Sequence, residues 1–275
     1  MKNTLLTLFI ALTLNSTFSQ KIDKSKSELK SGNSSRSSNS SSSSSGSSSV
    51  RSSSNDFGIA GLLVEGFLYV SFYSTIGDYR NENHLYNSLS KYPYFDGESG
   101  NFRNDNDSIQ YGNAMRFDLE NHFLYSDNNS FGNHLKAKFR PFQYFYIQAD
   151  YRELLEKNIF TNHFSNLSLF QFNVAYDRIR FKKFNLGWTL GATYVGNDVQ
   201  KVGFSYGLHT DVFAIKNISF NSAMLWSKIN GLPVNSFELR GKYHKKNYFF
   251  SLGYEHLKIA SPNYNFVTLG TGIYF

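Results

Sequence analysis

The chain has 275 residues and no cysteine. That absence excludes disulfides, thiolate metal sites and lipid attached to a cysteine. Proline is rare, at 4 residues. Catalytic motifs are missing as well. There is no G-x-S-x-G, no H-E-x-x-H, no phosphate-cradling glycine loop and no carboxylate pair that spacing alone singles out. The formal charge of +7 has no clustered aromatic platform beside it, so nucleic acid is not an expected partner. Part of that charge sits early, at Lys21, Lys24, Lys26, Lys30, Arg36 and Arg51. Mean hydropathy is −0.40, too polar for a helical membrane protein, although a membrane barrel hides its apolar signal in alternation. What the chain has in abundance is aromatic side chains, 17% of all residues, with Phe and Tyr dominating.

The first residues read as a secretory signal. Lys2 gives a positive start, Leu5 to Leu12 an apolar core, and Thr17-Phe18-Ser19 small residues for cleavage, leaving Gln20 as the new N-terminus. The apolar run is shorter than the roughly 20 residues of a membrane span. Export combined with a lack of disulfides points to a bacterial envelope. Residues 20–55 are expected to be a disordered tether, since Ser31 to Ser54 is nearly all serine and cannot bury apolar area.

Residues 56–78 form an apolar segment. Phe57 to Ile76 is interrupted by Glu65, is long enough to span a bilayer, and is predicted to be a helix capped by Asn55 or Asp56. The expected role is packing beneath or inside the remaining fold, or at an interface. Gly58, Gly61 and Gly66 would permit close backbone approach. Residues 79–110, with Tyr92-Pro93-Tyr94, read as an irregular connection.

From Tyr111 to Phe275 the pattern changes to sustained two-residue alternation, the mark of strands with one apolar and one polar face. Met115, Phe117, Leu119, Phe123 and Tyr125 oppose Arg116, Asp118, Glu120 and His122. Leu186, Trp188, Leu190, Ala192 and Tyr194 oppose Asn185, Gly187, Thr189, Gly191 and Thr193. Phe237, Leu239 and Tyr243 oppose Glu238, Arg240, Lys242 and His244. Ten such strands are counted, the last ending in Val267, Leu269, Thr271, Ile273 and Phe275 on one face. The connections divide into longer ones (Ser126–Asn133, Glu153–Ser165, Gly196–Lys201, Ile229–Val234, Leu257–Asn263) and tighter ones (Pro141–Phe142, Arg178–Lys183, Ala214–Lys216, Lys245–Lys246). An even strand number puts both ends of a barrel at the tight-turn rim, so the tether is expected to enter there.

The polar residue Thr268, Gly270 two positions later, and the apolar Ile273 and Phe275 resemble the C-terminal assembly signal of bacterial outer-membrane β-barrel proteins. The resemblance implies an all-β, ten-stranded antiparallel up-and-down transmembrane barrel, contact with outer-membrane lipid, and handling by the barrel-assembly machinery. Volume agrees. Ten strands of large apolar side chains would overfill a lumen, whereas the outside of a cylinder has room for them. A soluble lipocalin-like barrel, apolar side inward, is the structural alternative.

The lumen would then hold Arg116, Asp118, Glu120, Lys136, Lys138, Arg140, Glu238, Arg240 and Lys242, with Asp118 and Glu120 pairing across the ladder to Lys136, Lys138 and Arg140. Mixed charge of this kind suggests a salt-bridged interior and a structural, adhesion or binding, or minor-transport role. The alternatives are a small-solute channel or an enzyme of lipid-modifying, phospholipase or protease type. His209 and Asp211, two apart on one strand face, are the catalytic candidates, resembling the Asp/His pair of ten-stranded outer-membrane proteases without a convincing second acidic pair. No cofactor is expected, and none of His122, His209 and His244 is expected to bind metal unless they converge at one depth.

Overall fold

The structure, a computed structural model, describes residues 20–32, 71–103, 115–127, 129–158 and 163–275. The signal segment, the serine tract beyond Gly32, the apolar segment up to Val70 and residues 104–114 lie outside them. A helix α1 (Lys21–Ser31) comes first, followed by a two-residue ladder of β1 (Ser88–Leu89) and β2 (Phe102–Arg103). Ten long strands then run β3 (Arg116–Asp127), β4 (Ser130–Arg140), β5 (Phe145–Lys157), β6 (Phe164–Arg180), β7 (Phe184–Val195), β8 (Lys201–Ile215), β9 (Ile218–Ile229), β10 (Leu232–Lys245), β11 (Tyr248–Ile259) and β12 (Asn263–Tyr274). They form one closed antiparallel barrel in up-and-down order.

Closure is made by β12 against β3, with Ile273 opposite Leu119 and Gly270 opposite His122. Beyond the ladder, the Phe275 N–H donates to Phe117 O at 2.8 Å and the Phe117 N–H to Phe275 O at 3.2 Å. With β12 paired to β3, the barrel itself leaves no strand edge to template aggregation.

The alternation resolves into an apolar exterior. Phe117, Phe123, Phe172, Leu190, Leu239, Leu252 and Leu269 are exposed, while the charged residues between them are buried. A soluble barrel would have the opposite direction, so the inward-apolar alternative is overturned by where the side chains point.

The rims differ from expectation. The connections at the rim opposite the barrel termini are residues 128–129, 158–163, 196–200, 230–231 and 260–262, and those at the terminal rim are 141–144, 181–183, 216–217 and 246–247. The expected contrast between long and tight loops is therefore slight. The 229–234 stretch shows why. Asn230 and Gly231 take φ of 53° and 82°, the paired left-handed conformation that closes a two-residue hairpin matched to strand twist.

The start of the tether is also corrected. Lys21–Ser31 is a helix rather than disordered chain, because Ile22, Ser25 and Leu29 fall on one stripe and are buried against the barrel. It seats on the rim far from the barrel termini, so the N-terminal region does not stay at the rim where β3 begins. Of the predicted helix over Phe57–Ile76, residues 71–76 are described, and 71–75 of these are helical.

Candidate functional site

The lumen is the one place where the alternation collects chemistry. Between the rims, Arg116, Lys136, Lys138, Arg140, Arg152, Arg240 and Lys242 point inward, matched in number by Asp118, Glu120, Asp150, Asp177, Asp211, Glu238 and Glu255. Every charged residue expected there is present. The sequence places Asp150, Arg152, Asp177 and Glu255 on the polar faces of their strands by the same alternation, but they were not counted in the expected lumen cluster.

The register is as expected, with Asp118 opposite Lys138 and Glu120 opposite Lys136. The bonding is not. Lys136 reaches across the lumen to Glu238 at 2.7 Å, and Lys242 to Glu120 at 2.8 Å. Arg152 bonds Glu238 at 2.5 Å and Glu255 at 2.6 Å. Arg240 joins the same two carboxylates, contacting Glu255 at 2.8 Å. Asp118 takes Arg116 on its own strand at 2.7 Å. Long side chains in a narrow cylinder find the opposite wall as readily as the neighbouring strand, so ladder register alone does not choose the partner. Buried charges of this number are tolerated only when paired and hydrogen-bonded.

His209 and Asp211 share a strand face but not a bond. His209 Nε2 lies 2.8 Å from Asp177 Oδ1 and 3.0 Å from the Tyr146 hydroxyl. Asp211 accepts from Asn221 at 2.8 Å and from Asn101 at 3.3 Å. The His209 ring reaches Asp177 by lying over Gly187, where an added Cβ would come within 2.4 Å of the ring. His209 thus takes its partners from β6 and β5, across β7, and Asp211 takes Asn221 from β9 and Asn101 from the near-rim cover.

The other histidines are distributed. His122 faces Glu120 and Ser251, at 3.2 and 3.1 Å, while His244 faces Ser219 at 2.7 Å. His122, His209 and His244, whose convergence a shared metal site would require, have separate partners. His134, Asp150 and Glu238 do place ligand atoms within 4.8 Å of one another. Lys136 and Arg152 already contact those carboxylates, so the cluster brings its own cations and a metal ion would have to displace them.

Lys138 and Asp211 are in no ion pair among the described residues. They border the same small polar cavity, with Arg116, Glu120 and Lys242, and it has room for roughly one water molecule.

Both mouths are covered. At the far rim the inward positions turn apolar past His122, Arg152, Gln171 and Glu255. Leu124, Leu154, Leu169 and Leu257, with Val195, Ile229 and Phe266, make a collar around Ile22 and Leu29 of α1. Burying each of these two side chains contributes on the order of 1.5–3 kcal/mol. Glu156 accepts from the N–H groups of Lys21 (3.2 Å) and Ile22 (2.8 Å), supplying the N-terminal cap that Gln20 does not. Asn230 donates to the carbonyls of Leu29 (3.0 Å) and Lys30 (3.2 Å) at the other end. Ser25 bonds the Tyr264 hydroxyl at 2.8 Å.

At the near rim, residues 76–103 close the opening. Arg180 donates to Leu85 O at 2.7 Å, Asn87 to Arg180 O at 2.6 Å, and the Tyr94 hydroxyl to Ile215 O at 2.9 Å. Burial pushes the Tyr94 phenol up to about 12. Arg116 bonds Asn101 at 3.0 Å, tying this cover to the lumen. The segment that the sequence reads as irregular connection thus becomes the floor of the barrel.

The four C-terminal signal positions divide between the two faces. Thr268 is buried and Phe275 is 65% exposed on the outer face. Gly270 has a packing reason of its own, since a Cβ there would lie 2.1 Å from His122 Nδ1. Ile273 is half-buried and directed outward.

No family model matches the sequence, and no curated protein does. Solved barrels resemble it at low identity. The Yersinia pestis outer-membrane protein Ail in a phospholipid nanodisc is 12% identical over 59% of this chain and 100% of its own, with a TM-score of 0.34. The KdgM porin in complex with disordered oligogalacturonate is 10% identical over 58% of this chain and 98% of its own, at 0.33. The N-terminal barrel domain of Pseudomonas aeruginosa OprF is 10% identical over 58% and 96%, at 0.29. This chain, by its own ladder, is a closed ten-stranded antiparallel barrel with an apolar outside and a charged inside.

Proposed function

We propose that the protein is a barrel of the bacterial outer membrane that serves as a closed scaffold, in a structural or binding role, rather than as a conduit. The observation that carries this reading is the filled interior. Matched buried charges occupy the middle of the lumen, α1 and its apolar collar cover one mouth, and residues 76–103 cover the other. A belt of exposed Phe, Leu, Val and Tyr on the outer wall suits lipid contact, as alternating strands of about 10 residues or more require. The C-terminal positions Thr268, Gly270, Ile273 and Phe275 are the feature for the barrel-assembly machinery to read. The near rim, where the barrel begins and ends, then faces the periplasm and α1 faces outward.

Full-length protein, folded in detergent and shown by heat-modifiable gel migration to be a barrel, is tested in planar bilayers. The expected result is low conductance without preference for cations or anions. A large, steady conductance overturns the closed scaffold. Separation of membranes on a density gradient checks the location, with the outer-membrane fraction expected.

A further inference from the structure

Basic side chains gather on one part of the near rim. Of the four turns there, 181–183, 216–217 and 246–247 carry Lys182, Lys183, Lys216 and Lys246, and Lys245 ends β10 beside them. None of these turns has an acidic residue. Lys182 is paired with Glu98 of the cover at 3.2 Å. Lys183, Lys216, Lys245 and Lys246 are exposed and enter no ion pair among the described residues. The far rim is different. Its lysines, Lys157, Lys201, Lys228 and Lys258 at strand ends and those of α1, stand among Asp23, Glu28, Glu153, Glu156 and Asp198, and Lys26 takes Asp198 at 3.1 Å.

Backbone hydrogen bonds stitch the near-rim turns into one arc. The Phe213 N–H donates to Lys183 O and the His244 N–H to Asn217 O, each at 2.8 Å. The 181–183 turn is thereby tied to β8, and the 216–217 turn to β10. Lys216 follows the exposed Ile215. Lys245 continues the outward set of Leu239 and Tyr243 on β10 and stands opposite Tyr248 on β11. Tyr243 and Tyr248 are exposed, and their hydroxyls have no partner among the described residues. The rest of this rim, from β12 through β3 to β5, presents Phe275, Phe117, Phe142 and Phe145 instead.

We propose that this arc binds the phosphate headgroups of anionic phospholipids in the leaflet that borders the near rim. The proposal rests on the membrane-barrel reading. The unpaired ammonium groups stand at the edge of the apolar belt, where a lysine lays its methylene stem along the wall and carries its charge to the headgroup level. Tyrosine belongs at the same depth, its ring in the apolar layer and its hydroxyl in the wet one. A phosphodiester supplies the acceptors that these ammonium groups and hydroxyls lack within the protein, and an anionic leaflet attracts basic residues at its surface. The arc faces sideways, beside Ile215 and Phe250, which favours a lipid over an anionic polymer of the cell wall. Such a polymer would approach the mouth from below and meet Asp78, Glu82, Asp96 and Glu98 of the cover.

Full-length protein, folded in neutral detergent, is titrated with phosphatidylglycerol or with phosphatidylcholine of the same acyl chains, and bound lipid is counted by native mass spectrometry. The parent should retain phosphatidylglycerol about tenfold better or more, since each lysine at an anionic surface contributes about fivefold. Added salt should shrink the preference. Lys183→Gln, Lys216→Gln, Lys245→Gln and Lys246→Gln combined should abolish it. Lys157→Gln, Lys201→Gln, Lys228→Gln and Lys258→Gln combined, the same change of charge at the far rim, should keep most of it. Equal retention of the two lipids by the parent, or equal loss in the two variants, overturns the proposal. Co-sedimentation with purified peptidoglycan that falls in the near-rim variant assigns the arc to the cell-wall polymer and likewise overturns the lipid. Heat-modifiable migration and density-gradient fractionation of parent and variants report separately on the membrane-barrel reading, which fails there before any lipid is counted.

Discussion

Lys136 on β4 and Glu238 on β10 meet at 2.7 Å across the lumen, both buried. Arg152 and Arg240 share the same carboxylate, so the pair is the centre of a network rather than an isolated bridge. Removing one partner of a buried pair strands the other, at a cost of about 3–5 kcal/mol, whereas replacing both with apolar groups of similar size is far milder. Lys136→Met should therefore lower the stability of the detergent-folded barrel by that order in urea titrations. Lys136→Met combined with Glu238→Leu keeps the lumen neutral and should recover part of the loss. A double-mutant cycle measures the coupling, and strictly additive losses would show that the network does not act as a unit.

Leu29 is fully buried where α1 meets the apolar collar. Leu29→Asp would place a carboxylate in the apolar cluster that includes Ile229, Val234 and Leu257. The expected outcome is displacement of α1, read as faster proteolysis near residue 30. Leu29→Ala should leave the helix docked and cost about 2–5 kcal/mol. Unchanged proteolysis in Leu29→Asp would mean that the collar does not hold the helix.

The near-rim cover should loosen in acid. Hydrogen bonds from Arg178 hold the Glu82 carboxyl below its ordinary 4.5, with burial acting against them. Burial, opposed by the neighbouring Glu82, holds His84 below 6.5. Both folded-state values are depressed, so the unfolded segment binds more protons in the window beneath each ordinary value. The contribution is complete above about pH 6.5 and is lost as pH falls, first through His84 and then through Glu82. Trp188, bonded to Thr75 O at 2.9 Å, reports the docking by fluorescence in a Trp226→Phe background. Its emission should shift between pH 6 and pH 3, and Glu82→Gln should flatten the lower limb. A flat profile in the parent would refute the linkage.

Phe275 is bonded through its backbone to Phe117 and carries an exposed ring. Its deletion should reduce the amount of barrel assembled in cells while leaving the already folded protein's thermal stability nearly unchanged. Equal assembly with and without Phe275 would remove the functional meaning of the terminal signature.

The strands were legible because a period of two is a strong signal and the inward set was charged. Arg116, Asp118, Glu120, Lys136, Lys138, Arg140, Glu238, Arg240 and Lys242 all face the lumen as alternation requires. What alternation does not encode is reach. Nothing local in Lys136 distinguishes Glu120 on the adjacent strand from Glu238 across the barrel, and the distant one is the bonded partner. The collar was hidden for a related reason. Leu154 and Leu257 lie on polar faces and read as lapses in a pattern, until several strands place such lapses at one height. Asn230-Gly231 was readable from its turn chemistry alone, whereas α1 was masked by the polar composition that surrounds its three buried positions.

The contacts of α1 also fix an order of events. Its partners are Glu156, Asn230, Ile259, Ser261 and Tyr264, more than a hundred residues downstream and spread over three strands and two turns. A single helix of 11 residues has little stability in water by itself, and this one finds both of its caps on the barrel. It can settle only after β12 has met β3, when those partners first share a rim. Residues 21–31, early in the sequence, are thus among the last to fold, and a seated α1 records that closure is complete.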